Sequence, residues 1–407
     1  MRKPGFWTRP DQVLGLACVL VFLQAMLLGF VIAGTHGWLG GKVGPNTTDY
    51  ASFYAAGRLA DAGRPQDAYD HAAHLRAEEA ATAPGIKYQY FFNPPTYLLL
   101  NQPLALLPYI PRFVLFQALT LAFWLRVGTR AAGGGAAATA MLLAVPSVWW
   151  VLGLGQNAFL NAALLGGGML ALERRPVLAG IAFGALCYKP HLGLMLPVAL
   201  LAGRYWRTIA AAGATVALLT LLSVALYGVV TWAAFLDMVR GSGGAIGGGD
   251  VLFAAHLDPA GALRFAGLPW PSARALAVPA GLLAAGCVGL LWWRGAAAEA
   301  RYAALAAGTL LVVPFVLFYD LIIASLAAAW LVQAGRRGGF LPGERAVLVA
   351  CFALNLLAAL PVVLRAGHGV AFGALVAPLL LGLAVRRGLR PSGGAGAPGP
   401  RGPEARA

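Results

Sequence analysis

The sequence is poor in charged residues. Of its 407 residues only 11% are charged, whereas 59% are hydrophobic. A soluble globular protein carries about 25% charged residues, so this composition excludes an ordinary water-soluble domain. Apolar runs of about 18 residues or more recur along the chain, and such runs are typical of transmembrane helices. We therefore predict an all-α, polytopic integral membrane protein.

Acidic residues and cysteines are also scarce. The chain has 15 acidic and 30 basic residues, which gives a formal net charge of +15. In a soluble protein this excess would suggest nucleic acid, but here the basic residues form short clusters between apolar runs, as the positive-inside rule describes. No nucleic-acid partner is therefore predicted. The four cysteines lie far apart in apolar segments, which excludes a CxxC pair and a cysteine zinc site.

The basic clusters determine the predicted topology. The first apolar run, 13–33, is longer than the roughly 7–15 residues of a signal-peptide core, so we predict a retained first span. Placing all basic clusters in the cytoplasm gives about twelve crossings, with both termini cytoplasmic in a bacterial-type inner membrane. The prediction is a single membrane-embedded domain over residues 1–390, followed by a disordered cytoplasmic tail over 391–407.

Two long loops are predicted on the outer, extracytoplasmic side. The larger one, 34–93, is expected to hold two helices on the membrane surface, over 49–62 and 66–81. The second outer loop, 230–273, contains a glycine-rich run that suits either a mobile lid or a plain connector. Five residues of the loop 34–93 are interpreted as a solvated helix face rather than a metal site: Asp67, Asp70, His71, His74 and Glu78.

The unusual polar residues of the chain gather on this outer face. Asp49 follows the first span and is a candidate catalytic carboxylate, although its position also suits a helix N-cap. Lys189 lies between two short apolar pieces, where a charge costs about 2.5–3.5 kcal/mol. We predict that it binds a phosphate group, the alternative being a lysine that snorkels to the lipid head groups.

Three further polar residues have two interpretations each. Gln156 and Asn157 follow a glycine pair before a span, where their amides suit sugar hydroxyls or interhelical hydrogen bonds. Asp320 follows Tyr319 at a helical turn, where it either orients Lys189 or binds substrate, or else caps a helix.

Several short motifs occur in an order that is similar to a known family. They are Asp49-Tyr50 with Tyr54, Asn93-Pro94-Pro95, the run LLNQPLALLP over 99–108, Gly155-Gln156-Asn157, Tyr188-Lys189-Pro190, Arg204-Tyr205-Trp206-Arg207 and Tyr319-Asp320-Leu321. Together they resemble glycosyltransferase family 87, integral-membrane enzymes of the GT-C fold class that use polyprenyl-phosphate sugars. Asn93 stands where the family commonly has tyrosine.

This resemblance implies a GT-C-like fold and an inverting sugar transfer. Asp49 would be the general base that deprotonates an acceptor hydroxyl, and Lys189 would stabilise the polyprenyl phosphate that leaves. The donor would carry a hexose, mannose by analogy, and the acceptor would be a lipid or a glycan at the outer face of the membrane. No metal or other cofactor is expected. The residues predicted to bind donor phosphate or substrate are Lys189, Tyr188, His191, Gln156, Asn157, Asn93, Tyr54, Tyr319, Asp320 and His256.

Two other classes of function remain open at this stage. A secondary transporter or flippase for a lipid-linked or anionic substrate also has broken helices and polar groups in the membrane. However, the two halves show no internal repeat, and the polar groups favour one face rather than the midplane. A non-catalytic lipid-binding or scaffold protein would not depend on Asp49 or Lys189.

Overall fold

The computed structural model describes residues 10–34, 49–248 and 253–390. Of these residues 79% are helical, and they form no β-strand, in agreement with the predicted all-α class. The cytoplasmic N-terminus, parts of the two predicted outer loops (35–48 and 249–252) and the predicted tail 391–407 lie outside the described ranges.

Eighteen α-helices follow one another within the described ranges. They are α1 (Pro10–Ala33), α2 (Tyr50–Asp61), α3 (His71–Ala81), α4 (Leu98–Leu104), α5 (Tyr109–Ala131), α6 (Ala136–Leu143), α7 (Pro146–Leu154), α8 (Ala158–Ala171), α9 (Pro176–Ala185), α10 (Leu196–Ala202), α11 (Trp206–Gly248), α12 (Pro259–Phe265), α13 (Trp270–Trp293), α14 (Ala298–Val312), α15 (Ile322–Gly338), α16 (Glu344–Leu357), α17 (Leu360–Val363) and α18 (Val376–Gly388). Short 3-10 helices lie between them at Pro65–Tyr69, Pro95–Tyr97, Leu186–Tyr188, Pro190–Gly193, Phe253–Ala255, Phe318–Leu321 and Phe372–Leu375.

Within the described ranges, six helical segments are long and apolar enough to cross a membrane. They are Asp11–Ala33, Tyr109–Ala131, Trp206–Gly241, Trp270–Trp293, Phe318–Gly338 and Glu344–Val363. A seventh span results if α6 and α7, which meet at a bend of 57°, are counted as one. These apolar helices indicate a membrane protein, but the predicted count of about twelve crossings is not confirmed.

The difference in count comes from apolar helices that are too short to cross a bilayer by themselves. At 1.5 Å per residue, the 15 residues of α14 extend over roughly 22 Å, less than the roughly 30 Å hydrocarbon core of a bilayer. Residues 300–310 of α14 are all buried. The sequence cannot distinguish such an interior helix from a lipid-facing span, because both are uniformly apolar.

The predicted loop layout over 230–273 is not confirmed either. Helix α11 continues to Gly248, although its axis breaks at Gly228, where φ is 78° and ψ is 160°. Only glycine adopts this conformation without strain. The predicted outer loop begins at residue 230, next to this break. Beyond the undescribed residues 249–252, α12 and the first turn of α13 occupy most of the remaining stretch.

The two helices predicted in the first outer loop are present, but α2 is not a surface helix. Nine of its twelve residues are buried, because its aromatic side chains pack inside the protein. The Tyr50 ring lies 5.0 Å from the Phe113 ring of α5, and the Phe53 ring lies 5.3 Å from the Tyr97 ring. This aromatic cluster fixes the N-terminal end of α2, where Asp49 lies.

Candidate functional site

Asp49 is the residue directly before α2, and its carboxylate does not cap that helix. Its backbone is already helical, with φ −58° and ψ −19°, and its side chain accepts no capping hydrogen bond. Instead, Gln156 Nε2 donates a hydrogen bond of 2.7 Å to Asp49 Oδ2. The structure therefore joins two residues that lie 107 positions apart in the chain, and the capping interpretation of Asp49 has no support.

The backbone just before Gln156 allows α7 to approach α2 closely. Gly155 ends α7 in the left-handed conformation, with φ 71° and ψ 30°. A Cβ atom on Gly155 would lie 2.5 Å from the Tyr50 Cβ and 2.5 Å from the Phe113 ring, so only glycine lets α7 come this close to α2. Gln117 Nε2 donates to the Gln156 carbonyl at 3.0 Å. Sterics and a buried hydrogen bond thus fix the Gln156 side chain beside the carboxylate.

The environment of Asp49 makes its carboxylate more basic than usual. Burial raises the pKa of Asp49 above its ordinary value of 3.8, and the Gln156 hydrogen bond opposes this effect. The positive charges of Lys189 and Lys87 also lower the pKa, by smaller amounts. A carboxylate with a raised pKa is better suited to accept a proton near neutral pH.

Lys189 lies at the break between two 3-10 helices, Leu186–Tyr188 and Pro190–Gly193. Its Nζ is 3.2 Å from Asp320 Oδ1 and 5.8 Å from the centre of the Tyr319 ring. The Lys189 side chain is 13% exposed, whereas Asp320 is 2% exposed. The predicted contact between Asp320 and Lys189 is therefore present, and an aromatic face adds a cation–π interaction.

Asp320 is not the predicted N-cap residue, because Leu317 precedes the 3-10 helix Phe318–Leu321 and Asp320 is the third residue of that helix. While Oδ1 faces the Lys189 ammonium, Oδ2 accepts a hydrogen bond of 3.1 Å from the Leu317 amide. This second bond holds the carboxylate at the start of the 3-10 helix that precedes α15. A buried carboxylate fixed by the backbone in this way can orient the lysine without moving itself.

Asn93, Tyr188 and Asn157 belong to a hydrogen-bonded network around the Lys189 turn. Asn93 Nδ2 donates to the Tyr188 carbonyl at 3.0 Å, and Tyr69 Oη donates to the Asn93 carbonyl at 2.9 Å. The Tyr188 hydroxyl donates to Asn161, whose Nδ2 in turn donates to Asn157 Oδ1 at 3.2 Å. These contacts position the backbone before Lys189. The predicted substrate-binding role of all three residues stays a prediction.

His256 and His191 lie next to the turns of this arrangement, whereas Tyr54 packs against Tyr109, with 5.2 Å between the ring centres. His256 Nδ1 donates to Asp258 at 3.0 Å, and the backbone of His256 forms an isolated antiparallel bridge with Leu317. His256 therefore lies beside the turn that holds Asp320. Tyr54 is half-buried one turn after Tyr50 on α2. His191 is half-buried directly after Pro190.

The sequence interpretation missed two buried residues, His74 and Glu78 of α3. Both are 0% exposed, so the solvated-face interpretation is wrong for them. His74 Nε2 donates to the Ser52 carbonyl at 3.2 Å, and Glu78 accepts from the Gln89 amide at 3.1 Å. Burial lowers the pKa of His74 to about 4. Burial, with a smaller contribution from the Asp49 charge, raises the pKa of Glu78 to about 8, so both side chains are neutral at pH 7.

This burial predicts a pH-dependent stability that depends on Glu78. The folded protein keeps the Glu78 proton up to pH of about 8, whereas an unfolded chain releases it near 4.5. The contribution of Glu78 to the free energy of unfolding is therefore lost as the pH rises through this window. As the pH increases between these two values, we expect the unfolding temperature of Glu78→Gln in detergent to rise relative to that of wild type. If the unfolding temperatures of wild type and Glu78→Gln changed with pH in parallel, this would contradict a buried, neutral Glu78. Glu79→Gln serves as the control.

Metal-binding side chains do not converge in the described part of the chain. No group of three or more His, Cys, Asp or Glu residues there is placed to hold a metal ion.

A comparison with family models identifies the class of protein. The model described as glycosyltransferase family 87 matches residues 91–319, more than half of the chain. The matched segment contains Gln156 and Lys189, whereas Asp49 precedes it. No curated protein and no solved structure matches the chain. The extent of the family match shows that the chain belongs to glycosyltransferase family 87.

Proposed function

We propose that this protein is an inverting glycosyltransferase that moves a hexose from a polyprenyl-phosphate donor to a hydroxyl group of a lipid or glycan acceptor. Family membership supports the transfer of sugar. The observation that carries the proposal is the carboxylate of Asp49, which is held by Gln156 and lies within the electrostatic influence of Lys189. A base and a cation are the two groups that this reaction requires.

Asp49 acts as the general base. Its carboxylate takes the proton of the acceptor hydroxyl while the acceptor oxygen forms a bond to the anomeric carbon of the sugar. The Gln156 hydrogen bond fixes the carboxylate in one orientation, which supports proton transfer because the distance between base and hydroxyl must be short. A single displacement at the anomeric carbon inverts its configuration.

Lys189 stabilises the leaving group. The bond between the anomeric carbon and the phosphate oxygen breaks, and polyprenyl phosphate departs with the bonding electrons as an anion. An ammonium group has three N–H donors, so the ion pair with Asp320 leaves donors for the phosphate. Fixed positive charge at the position where negative charge develops is commonly the largest contribution to catalysis.

The apolar helices suit a donor that is itself a lipid. The polyprenyl chain would lie among the helices, and the sugar would reach the site from the extracytoplasmic face of a bacterial-type inner membrane. The distribution of basic clusters supports this sidedness. Mannose is the sugar that the family resemblance suggests.

A donor panel tests the proposed reaction. Purified protein is incubated with radiolabelled polyprenyl-phosphate hexoses, mannose among them, and in parallel with nucleotide sugars, in the presence of lipid and glycan acceptors. We expect transfer from at least one polyprenyl-phosphate hexose and none from nucleotide sugars. Transfer from nucleotide sugars alone would contradict the proposed donor. Substrate flux in proteoliposomes without any transfer would favour the transporter.

The Gln156 contact predicts a shift in the pH dependence of transfer. Because this hydrogen bond lowers the pKa of Asp49, its removal in Gln156→Leu raises that pKa further. The base works only when deprotonated, so we expect the acidic limb of the kcat/KM profile to move to higher pH.

A matched variant controls for the loss of a glutamine amide. Gln102→Leu removes an amide that donates to the Ala60 carbonyl at 3.4 Å instead. Its acidic limb should coincide with that of wild type. An unchanged limb in Gln156→Leu would show that Gln156 does not influence the base.

A further inference from the structure

An open groove lined by arginines lies between α2, α3 and the start of α5. Its volume is about 600 Å³, and its polar lining consists of Tyr54, Arg58, Arg64, Arg76 and Tyr109. Alanines 62, 73, 77, 80 and 81 form much of the remaining wall. The lining thus contains three cations and no carboxylate, and the small alanine side chains leave room for a bulky group. We refer to it as the arginine groove.

The charges of the arginine groove are only weakly compensated. Arg58 lies 3.4 Å from Asp61 and Arg64 lies 3.2 Å from Asp67, and the two arginine side chains are 52% and 60% exposed. Such exposed ion pairs hold their partners weakly. Arg76 is exposed and forms no ion pair with any described residue.

A buried cation lies behind the tyrosine wall of the groove. Arg112 is 0% exposed, and its guanidinium carbon lies 5.1 Å from the centre of the Tyr54 ring. Its Nη2 donates to Asn101 at 3.1 Å, whereas Nε and Nη1 have no hydrogen-bond partner among the described residues. A buried arginine without a carboxylate partner adds to the positive potential of the groove.

The groove opens where an apolar helix begins. Pro108 and Tyr109 form one end of its lining, and Tyr109 is also the first residue of α5, a candidate membrane span. Leu106 is 75% exposed, and α5 exposes Leu119 to 61%. Cationic and apolar surfaces therefore meet at this point, as a lipid with a charged head group requires.

We propose that the arginine groove binds the phosphodiester head group of an anionic glycerophospholipid, whose acyl chains pack along α5. The guanidinium groups present paired N–H donors that match phosphate oxygens, and the tyrosines and alanines accommodate the polar alcohol of the head group. A zwitterionic lipid would bring an ammonium group toward three arginines. An anionic lipid avoids this repulsion.

The groove is distinct from the site proposed for the donor phosphate. Arg58 follows Asp49 by nine residues along α2, which corresponds to about 13 Å along a helix. A donor phosphate must instead lie next to the sugar carbon that is attacked beside Asp49. The lipid proposed here is therefore bound in addition to the donor.

A titration of the full-length protein in detergent tests this proposal. Dihexanoyl phosphatidylglycerol is added to wild type, to Arg76→Gln and to Arg58→Gln/Arg64→Gln/Arg76→Gln, and binding is measured by calorimetry. Each charge-assisted hydrogen bond contributes about tenfold or more to affinity. We expect the dissociation constant to rise about tenfold in the single variant and at least a hundredfold in the triple variant.

Matched controls separate a specific site from general charge. Arg174→Gln/Arg175→Gln/Arg207→Gln removes the same charge from exposed arginines outside the groove and should bind like wild type, as should Asp49→Asn. The proposal would be overturned if this control lost as much affinity as the triple groove variant, or if dihexanoyl phosphatidylcholine bound as tightly as dihexanoyl phosphatidylglycerol. Displacement of the lipid by equimolar inorganic phosphate would overturn it as well. If the triple variant fails to fold, Arg76→Gln alone decides the result. Wild-type affinity of Arg76→Gln would overturn the proposal.

Discussion

Replacing Asp49 with asparagine should lower the rate of sugar transfer by about 10²- to 10⁴-fold, the usual contribution of a general base. Asparagine has the size of aspartate, and its side-chain oxygen can still accept the Gln156 hydrogen bond. It cannot take a proton from the acceptor. We therefore expect kcat to fall while donor binding, measured directly, stays within about twofold of wild type.

A second aspartate provides the control for this variant. Asp237 lies on α11, is 73% exposed and pairs with Arg240, so Asp237→Asn makes the same chemical change away from the site. Transfer by this variant should match wild type. A wild-type rate in Asp49→Asn would remove Asp49 from the mechanism, whatever the other variants show.

Replacing Lys189 with methionine should reduce transfer by about 10²- to 10³-fold, the loss typical of removing one group that stabilises developing charge. Methionine keeps the length of the side chain but not its charge. The departing phosphate then lacks its counter-charge. Steady-state transfer assays and direct binding of polyprenyl phosphate should both show the loss.

The Lys189 variant also leaves Asp320 without its partner, which requires a separate control. A buried charge that loses its partner destabilises a protein by about 3–5 kcal/mol. Lys189→Met/Asp320→Asn removes both charges and should recover thermal stability without recovering activity. Recovery of both would show that Lys189 acts only on folding.

The main elements of the site could be predicted because each carries a local signal. Gln156 follows two glycines before an apolar run, and Lys189 interrupts another apolar run beside a proline. Asp320 follows an aromatic residue at a turn. Such polar residues next to apolar helices are costly unless they are paired or functional, and the structure joins Asp49 to Gln156 and Lys189 to Asp320.

The burial of His74, Glu78 and Arg112 could not be predicted. An alanine-rich helix with acidic residues has the composition of a solvated helix, and burial of His74 depends on the Ser52 carbonyl of another helix. Arg112 follows a proline near the start of a span, where a basic residue usually faces the head groups. Only the packing of α2 against α3, α4 and the aromatic side chains of α5 encloses these residues.

The span count could not be predicted for a related reason. Hydropathy reports that a segment is apolar but not whether lipid or protein surrounds it, and α14 is enclosed by other helices. The glycine-rich sequence up to Gly248 was interpreted as loop, since glycine disfavours helix by about 1 kcal/mol per residue. Helix α11 nevertheless extends over it, so propensity alone does not locate the end of this helix.

The anomeric configuration of the product is the most direct test of the proposed mechanism. Wild-type protein is supplied with a polyprenyl-phosphate hexose of known configuration and a soluble acceptor analogue, and the early product is analysed by proton NMR. We predict the opposite anomeric configuration, together with one equivalent of released polyprenyl phosphate. A product with the configuration of the donor would contradict a single displacement with Asp49 as the base.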